Sequence, residues 1–390
     1  ERGDPDRAGR DWSSLRAVGA GVEKEDPFVG FAGAVPLYVE RDGMMETNPA
    51  KALWFNPQRF PRAKPDGMVR IFALGGSTTC GRPFDDTVSF SGWLRELLAE
   101  IDPEGGYEVI NAGGVSYASY RVAALMEELL AYDPDVFVVY TGHNEFLERR
   151  TYAGLIETPR WALAAGGLIG RTAIFRTGLR LIERPAEKTV LSAEVDTILD
   201  NSVGPQSYHR DDELARGVAE HFERNLERMA AMAKRAGAQM VLVTPAPGLR
   251  DCRPFKSEGP EERDASVWYA RGEALYAEGD YEAAKQAYER ALDEDVCPLR
   301  ATTPIRQAVR RVADRAGLPL VDFEATLAAR SEHGIPGRDW FVDHVHLSED
   351  GYHLLARDIL STLQAQGWAG GASPSEDQIR AVDRRVRARM

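Results

Sequence analysis

The sequence predicts an α/β protein: a parallel sheet covered by helices on both faces, with helical insertions. Short apolar runs of strand length recur at Val69–Leu74, Val136–Tyr140, Met240–Thr244 and Leu320–Phe323. Segments striped at helical spacing lie between them: Phe90, Trp93, Leu94, Leu97 and Leu98; then Val122, Leu125, Met126, Leu129 and Leu130; then Val218, Phe222, Leu226 and Met229. Between the first two stripes, "YEVINAG" supplies a further strand. Strands that alternate with helices in this way pair in parallel, because each crossover helix returns the chain to the same edge of the sheet.

Composition narrows the function. With 390 residues and 43% hydrophobic content the chain has enough apolar material for one large core or two smaller ones. Its 48 Lys and Arg against 61 Asp and Glu leave a net charge of -13, which repels a phosphate backbone, so no nucleic-acid partner is expected. The most apolar stretch, Trp161–Gly170, closes at Arg171, short of the roughly 18 residues a membrane span requires. Three cysteines with no CxxC spacing point away from zinc and thioredoxin chemistry, and no metal or cofactor is expected. The sequence opens on Glu1 rather than Met, from which we expect a removed export signal or anchor and an extracytoplasmic location, periplasmic or in the cell envelope.

Along the chain, residues 1–67 read as an irregular arm, rich in Gly, Pro and charge, that ends in the aromatic patch "LWFNPQRF". Residues 68–250 form the first part of the core domain, with 151–212 a possible lid after the third strand. Residues 251–297 read as an inserted helical hairpin. In "WYARGEALYAEGDYEAAKQAYERAL", Trp268, Gly272, Leu275, Gly279, Tyr281, Ala284, Tyr288 and Ala291 follow the spacing of a tetratricopeptide unit, with Arg271 where Leu is usual. A single repeat cannot bury its own apolar face, so the hairpin is expected to pack on the core domain, and a protein partner bound through it is the alternative. Residues 298–370 complete the domain, and 371–390 form a terminal helix or tail. Cys252 and Cys297 flank the hairpin. Its antiparallel path brings its two ends together, so we expect a disulfide there in an oxidising compartment, with Cys80 free; three reduced thiols are the alternative.

The chemistry centres on "IFALGGSTTCG", where a strand stops at two glycines and Ser77 follows. A phosphate loop needs a lysine after the glycines and none is in position. A helix cap is open to any serine after a turn. The third reading, a nucleophile, requires an imidazole to take the proton and a carboxylate to orient the imidazole. "DHVH" offers both, with Asp343 and His346 three residues apart and His344 as the alternative base, in a chain with only seven histidines. At the ends of two other strands stand "NAGGVS" and "GHNE", and Asn144 of the latter can present an amide to a developing oxyanion.

"GGSTT", "NAGGVS", "GHNE" and "DHVH" stand in the order of the blocks that mark the SGNH/GDSL hydrolases, and the sequence resembles that family over Met68–Pro247 and Ala301–Leu363. The resemblance implies a flavodoxin-like three-layer α/β/α sandwich with Ser77 as nucleophile, His346 as general base and Asp343 as its orienting acid. The implied oxyanion hole comprises the Ser77 N–H, the backbone of the second block and the Asn144 side chain. Three positions depart from the pattern: Gly76 replaces the usual Asp before the serine, Ser116 stands where the oxyanion glycine is expected, and His143 replaces the glycine before Asn144. A neighbouring glycine, Gly113 or Gly114, is therefore an alternative donor to Ser116, and His143 and Glu145 are candidate substrate contacts. The implied activity is that of an ester hydrolase working through an acyl-serine intermediate on an O-acyl ester, acetyl foremost, of a cell-envelope glycan or a lipid. An O-acyltransferase with the same triad and an inactive binding module are the alternatives.

Overall fold

The computed structural model describes residues 35–147 and 205–389. The segment expected to be irregular is partly ordered: β1 (Tyr38–Arg41), β2 (Met44–Thr47) and β3 (Arg59–Pro61) form a small antiparallel sheet. Asp42 and Gly43, with φ of 51° and 75°, make the two-residue turn that matches the twist of a hairpin. Leu37, Tyr38, Met45, Phe55 and Phe60 from this segment are buried in the main core, which corrects the expectation that order begins near Met68.

The main sheet is parallel and built from β4 (Val69–Gly75), β5 (Tyr107–Gly113), β6 (Val136–Tyr140), β7 (Gln239–Val243) and β8 (Leu320–Val321), in the spatial order β5-β4-β6-β7-β8. Counted from β4, this is the 2-1-3-4-5 order of flavodoxin-like sheets, whose ligand crevice opens at the carboxyl ends of the strands where the order reverses, between β4 and β6. Alternate residues serve opposite layers. Phe72, Leu74, Phe137, Val139, Met240 and Leu242 pack under α3 (Ser119–Leu129), α4 (Asp212–Ala236) and α7 (Thr303–Ala316). Ile71, Ala73, Val136, Val138, Val241 and Val243 pack under α2 (Phe90–Ile101), α8 (Phe323–Arg330) and α9 (Glu349–Ala365). Both faces of the strands are therefore apolar, and they read as continuous runs rather than alternating ones.

The helices begin and end where their sequences say they should. Ser89, Asp211 and Ser348 accept N–H groups of the first turns of α2, α4 and α9, and Gly237 closes α4 in the left-handed region. The terminal helix α10 (Glu376–Arg387) starts on a capping box from Ser375 and Gln378 and buries Val382 and Val386 against the second layer.

The insertion is a helical hairpin, α5 (Ala265–Glu278) and α6 (Tyr281–Glu294), and it packs on the core domain as expected. Leu249 and Ile335 of the domain join Tyr269, Ala284, Tyr288 and Leu292 in one apolar cluster, and Tyr281 stacks on His333 at 3.4 Å. The expected disulfide is absent, since Cys80, Cys252 and Cys297 are not bridged and all keep reduced thiols. Cys297 is buried with Leu147, Tyr208 and Val296 instead. Polar groups hold the hairpin's base: Asp295 accepts the N–H groups of Phe255, Lys256 and Cys297 at 2.8 to 3.0 Å, and Arg300 Nη1 donates to the carbonyls of Gly248 and Cys252. The expected lid, 151–212, lies outside the described residues except for its last eight positions, 205–212. Among the described residues no helix is long and apolar enough to cross a membrane.

Candidate active site

Ser77 is the first residue of α1 (Ser77–Cys80), a single turn directly after β4. Gly76 precedes it, and a Cβ there would lie 2.6 Å from Asn144 Nδ2, so the amide of the third block lies close against the nucleophile turn. Thr79 Oγ1 donates to Tyr140 O at 2.9 Å and fixes the turn to the end of β6.

The loop before α9 brings the other groups. Asp343 Oδ1 accepts the N–H groups of Val345 and His346, both at 2.8 Å, which folds the loop around the carboxylate. Its Oδ2 lies 2.6 Å from His346 Nδ1, and His346 Nε2 lies 2.7 Å from Ser77 Oγ. Burial, the largest influence on Asp343, pushes its pKa up. The hydrogen bond to His346, reinforced by the charges of His346 and His344, outweighs it and holds the carboxyl well below its ordinary range. An ionised carboxylate only accepts, so the Asp343 contact places a proton on His346 Nδ1 and leaves Nε2 to accept from the Ser77 hydroxyl. His346 is buried and Ser77 only 4% exposed.

Two backbone N–H groups at these loops make no hydrogen bond to a described residue. At the start of α1, the Ser77 N–H has no intrahelical acceptor. In the second block, Gly113 donates to Asn111 Oδ1, Gly114 to Gly75 O, Val115 to Trp54 O and Tyr117 to Gly114 O. Of residues 113–117, only Ser116 is left with an N–H that makes no hydrogen bond to a described residue. The candidate donor Gly114 is thereby corrected, along with its alternative Gly113, because both N–H groups are consumed inside the fold. Ser116 takes the left-handed conformation, φ 62°, at the position where the resemblance expects a glycine. Asn144 Nδ2 donates to Tyr117 O at 3.1 Å and so tethers the second block to the third.

The remaining candidates are internal. Glu145 is buried, its carboxylate accepting Ser119 N at 2.9 Å and Ser119 Oγ at 2.7 Å, so it ties α3 in place rather than facing outward. His143 is buried, and its Nδ1 accepts the Ala301 N–H at 3.2 Å. Burial, aided by the charges of His344 and His346, pushes its pKa down to about 3, which keeps the ring neutral. His344, the alternative base, sits edge-on to Phe255 at 5.1 Å and is pushed down to about 4 by burial.

Sequence reasoning missed the polar cluster beneath the nucleophile turn, where Asn56 Nδ2 donates to Cys80 O at 2.6 Å and Asn111 Nδ2 to Asp86 Oδ1 at 2.7 Å. Its signal was present in "YEVINAG", since an asparagine in a buried strand must find partners.

A three-layer α/β fold in which a hydroxyl, an imidazole and a carboxylate are hydrogen-bonded in series at the carboxyl edge of the sheet defines the class of serine hydrolases. A model of the GDSL-like lipase/acylhydrolase family matches residues 73–354, well over half of the sequence, and the chain belongs to that family of carboxylic ester hydrolases. No curated protein matches its sequence. Among solved structures it is similar to a catalytic mutant of Axe2, an acetylxylan esterase from Geobacillus stearothermophilus, at 15% identity and a TM-score of 0.40, covering 77% of this chain and 96% of that one. It is also similar to the acetyl xylan esterase AlAXEase, at 16% identity and a TM-score of 0.40 over 76% of this chain and 100% of the other. A third is LAE5, an alpha/beta hydrolase from the metagenome of Lake Arreo, Spain, at 16% identity and a TM-score of 0.38, covering 78% and 97% of the two chains.

Proposed function

We propose that the protein cleaves an O-acyl ester through an acyl-serine intermediate on Ser77. The observation that carries the reading is the hydrogen-bonded series from Ser77 Oγ through His346 to Asp343, at 2.7 and 2.6 Å. Ser77 Oγ attacks the ester carbonyl while its proton passes to His346 Nε2, and the developing oxyanion is met by the N–H groups of Ser77 and Ser116 and by Asn144 Nδ2. His346 returns the proton to the departing alkoxide. A water then gives its proton to the same nitrogen and attacks the acyl carbon, which releases the acid and restores the serine. Asp343 holds the Nδ1–H tautomer and stabilises the imidazolium that forms twice in the cycle.

The substrate we favour carries a short acyl group, acetyl foremost, on a hydroxyl of a cell-envelope glycan, and an extracytoplasmic location belongs to the same proposal. Support for a short acyl group comes from Ser116, which adds a side chain beside the oxyanion donor, and from the recessed position of Ser77. Labelling with a fluorophosphonate, followed by mapping of the adduct, tests the nucleophile; Ser77 is expected to carry it, and modification elsewhere with Ser77 intact would overturn the assignment. Turnover of p-nitrophenyl acetate with and without an acetyl-accepting glycan separates hydrolysis from transfer. Acceptor-independent release of acetate is the expected result, and turnover that requires the glycan would make the protein a transferase. Cell fractionation tests the location.

A further inference from the structure

The segment ahead of the family-matched region packs directly against both loops that bear the oxyanion donors. Trp54 O accepts the Val115 N–H at 2.9 Å, one residue before Ser116. Phe55 makes an isolated bridge to Gly114, and its ring meets Tyr117 edge-on at 5.1 Å. A Cβ on Gly114 would lie 2.8 Å from Phe55 Cζ, so aromatic ring and loop backbone are in full contact. Next along the chain, Asn56 Nδ2 donates at 2.6 Å to Cys80 O, the last carbonyl of the turn that begins with Ser77. Such a terminal carbonyl has no partner within its helix. Asn111 Nδ2 reaches it only at 3.3 Å. Asn56 is itself fixed, since its carbonyl accepts from Thr47 Oγ1 at 3.0 Å and the same hydroxyl accepts from Gln58 N at 2.8 Å.

We propose that Trp54, Phe55 and Asn56 are positioning residues for the reaction: they hold the Ser116 N–H and the Ser77 turn in mutual register, and so set the shape of the oxyanion hole from outside the family-matched region. The physical case rests on what the Ser116 loop lacks. Its left-handed residue is a serine rather than a glycine, so the local backbone gains nothing intrinsically from that conformation. The conformation is held by neighbours: Val115 is tied on one side to Trp54 O, and Tyr117 is tied on the other to Asn144 and pressed by Phe55. Removal of the outer tie lets the one unspent N–H of the block swing, and a donor misplaced by about 1 Å is enough to cost up to a hundredfold in rate.

This inference rests on the acyl-serine reading of the same site, and its test keeps the two apart. Phe55→Ala and Asn56→Ala are compared with Met45→Ala, which empties a buried position of β2 paired with Glu40 and Phe60, and with Ser77→Ala. Steady-state turnover of p-nitrophenyl acetate, inhibition by phenylboronic acid as a tetrahedral mimic, and melting temperature are measured for each full-length variant. Phe55→Ala and Asn56→Ala are expected to lower kcat by about 10- to 100-fold with KM changed less than about threefold, and to weaken boronic acid binding in proportion. Met45→Ala should lose melting temperature while keeping kcat, and Phe55→Leu should recover part of what Phe55→Ala loses. The inference is overturned if kcat and boronic acid affinity of Asn56→Ala and Phe55→Ala stay within twofold of the parent, or if Met45→Ala loses kcat to the same extent. If Ser77→Ala keeps its turnover, it is the acyl-serine reading that fails.

Discussion

His344 Nδ1 lies 3.6 Å from Asp343 Oδ1, outside hydrogen-bonding distance, although it is the immediate neighbour in sequence. The carboxylate instead meets His346, at 2.6 Å on its other oxygen. Two histidines share one acid, and only one of them also reaches the serine. His346→Ala is therefore expected to abolish ester turnover while the fold persists. His344→Ala should keep at least a tenth of the parent rate, its loss being one of packing against Phe255. Kinetics of the two purified variants decide this, and a silent His346→Ala would move the base elsewhere.

Asn144→Ala removes the one amide that joins the second and third blocks and faces the nucleophile turn. Loss of an oxyanion donor of this kind lowers kcat by about 10²- to 10³-fold. KM should barely change, because the oxyanion exists only on the way to the intermediate. A variant with intact kcat and raised KM would assign Asn144 to ground-state binding.

Ser116→Gly separates the backbone donor from the side chain. The N–H survives and the left-handed conformation at φ 62° becomes native to the residue, so unfolding free energy should hold or rise by up to about 1 kcal/mol. Turnover of acetyl esters should be retained, and longer acyl chains should gain relative to acetyl if the serine side chain limits the pocket. A collapse of acetyl turnover would show that the hydroxyl itself takes part. Thermal melts and a chain-length series of p-nitrophenyl esters provide the readouts.

Acid should destabilise the fold before it protonates most carboxylates. His143 is pushed down to about 3, and His344 and His353 to about 4, in each case first by burial. Unfolded histidines bind protons below about pH 6.5 while these three remain neutral in the native state, so the unfolded chain holds more protons and stability falls with pH across the window from about 6.5 to 4. His353 stacks on Trp93 at 4.2 Å, between α9 and α2, so His353→Phe should flatten that decline while activity is retained. Melting temperature against pH for both proteins measures it.

At the hairpin's base, the polar clasp replaces a covalent one. Asp295 is pushed up to about 6 by burial, and it accepts three N–H groups with Arg300 Nη2 3.8 Å away. Asp295→Ala leaves a buried guanidinium short of its counter-charge and should cost about 3 kcal/mol or more in chemical denaturation. Thiol titration of unreduced protein in denaturant should count three free thiols.

The sheet and its helices were legible because the central strands are largely apolar on both faces and helices such as Phe90–Ile101 and Asp212–Ala236 carry a clean stripe; the β6 run Val136–Tyr140 is a strand over those same residues. What escaped lies in residues 35–61. Its strands are three or four residues long and lack a full alternation, yet "RDGM" carried the Asp-Gly turn signal that would have exposed the hairpin. In the site, residue types that chemistry demands in pairs were readable: a serine, and an acid and a base three positions apart. Which N–H of the second block is unspent was not, because the answer depends on Trp54 and Gly75, residues far away in sequence that accept the competing bonds. The bonding of His143 and Glu145 was hidden for a similar reason: each meets a backbone or hydroxyl group of another element, which no local pattern announces.

The contact between Ser77 and His346 joins positions 269 residues apart. Contacts of that separation form late and slowly, since a long loop of chain must be closed before they are rewarded. During synthesis, a nascent chain that has released its nucleophile, its amide and the first four strands of the sheet still has no base. Prematurely terminated or proteolytically clipped products that end ahead of the acid–base loop are thus expected to be inert toward esters, and competence switches on only once that loop has emerged and folded back on the serine.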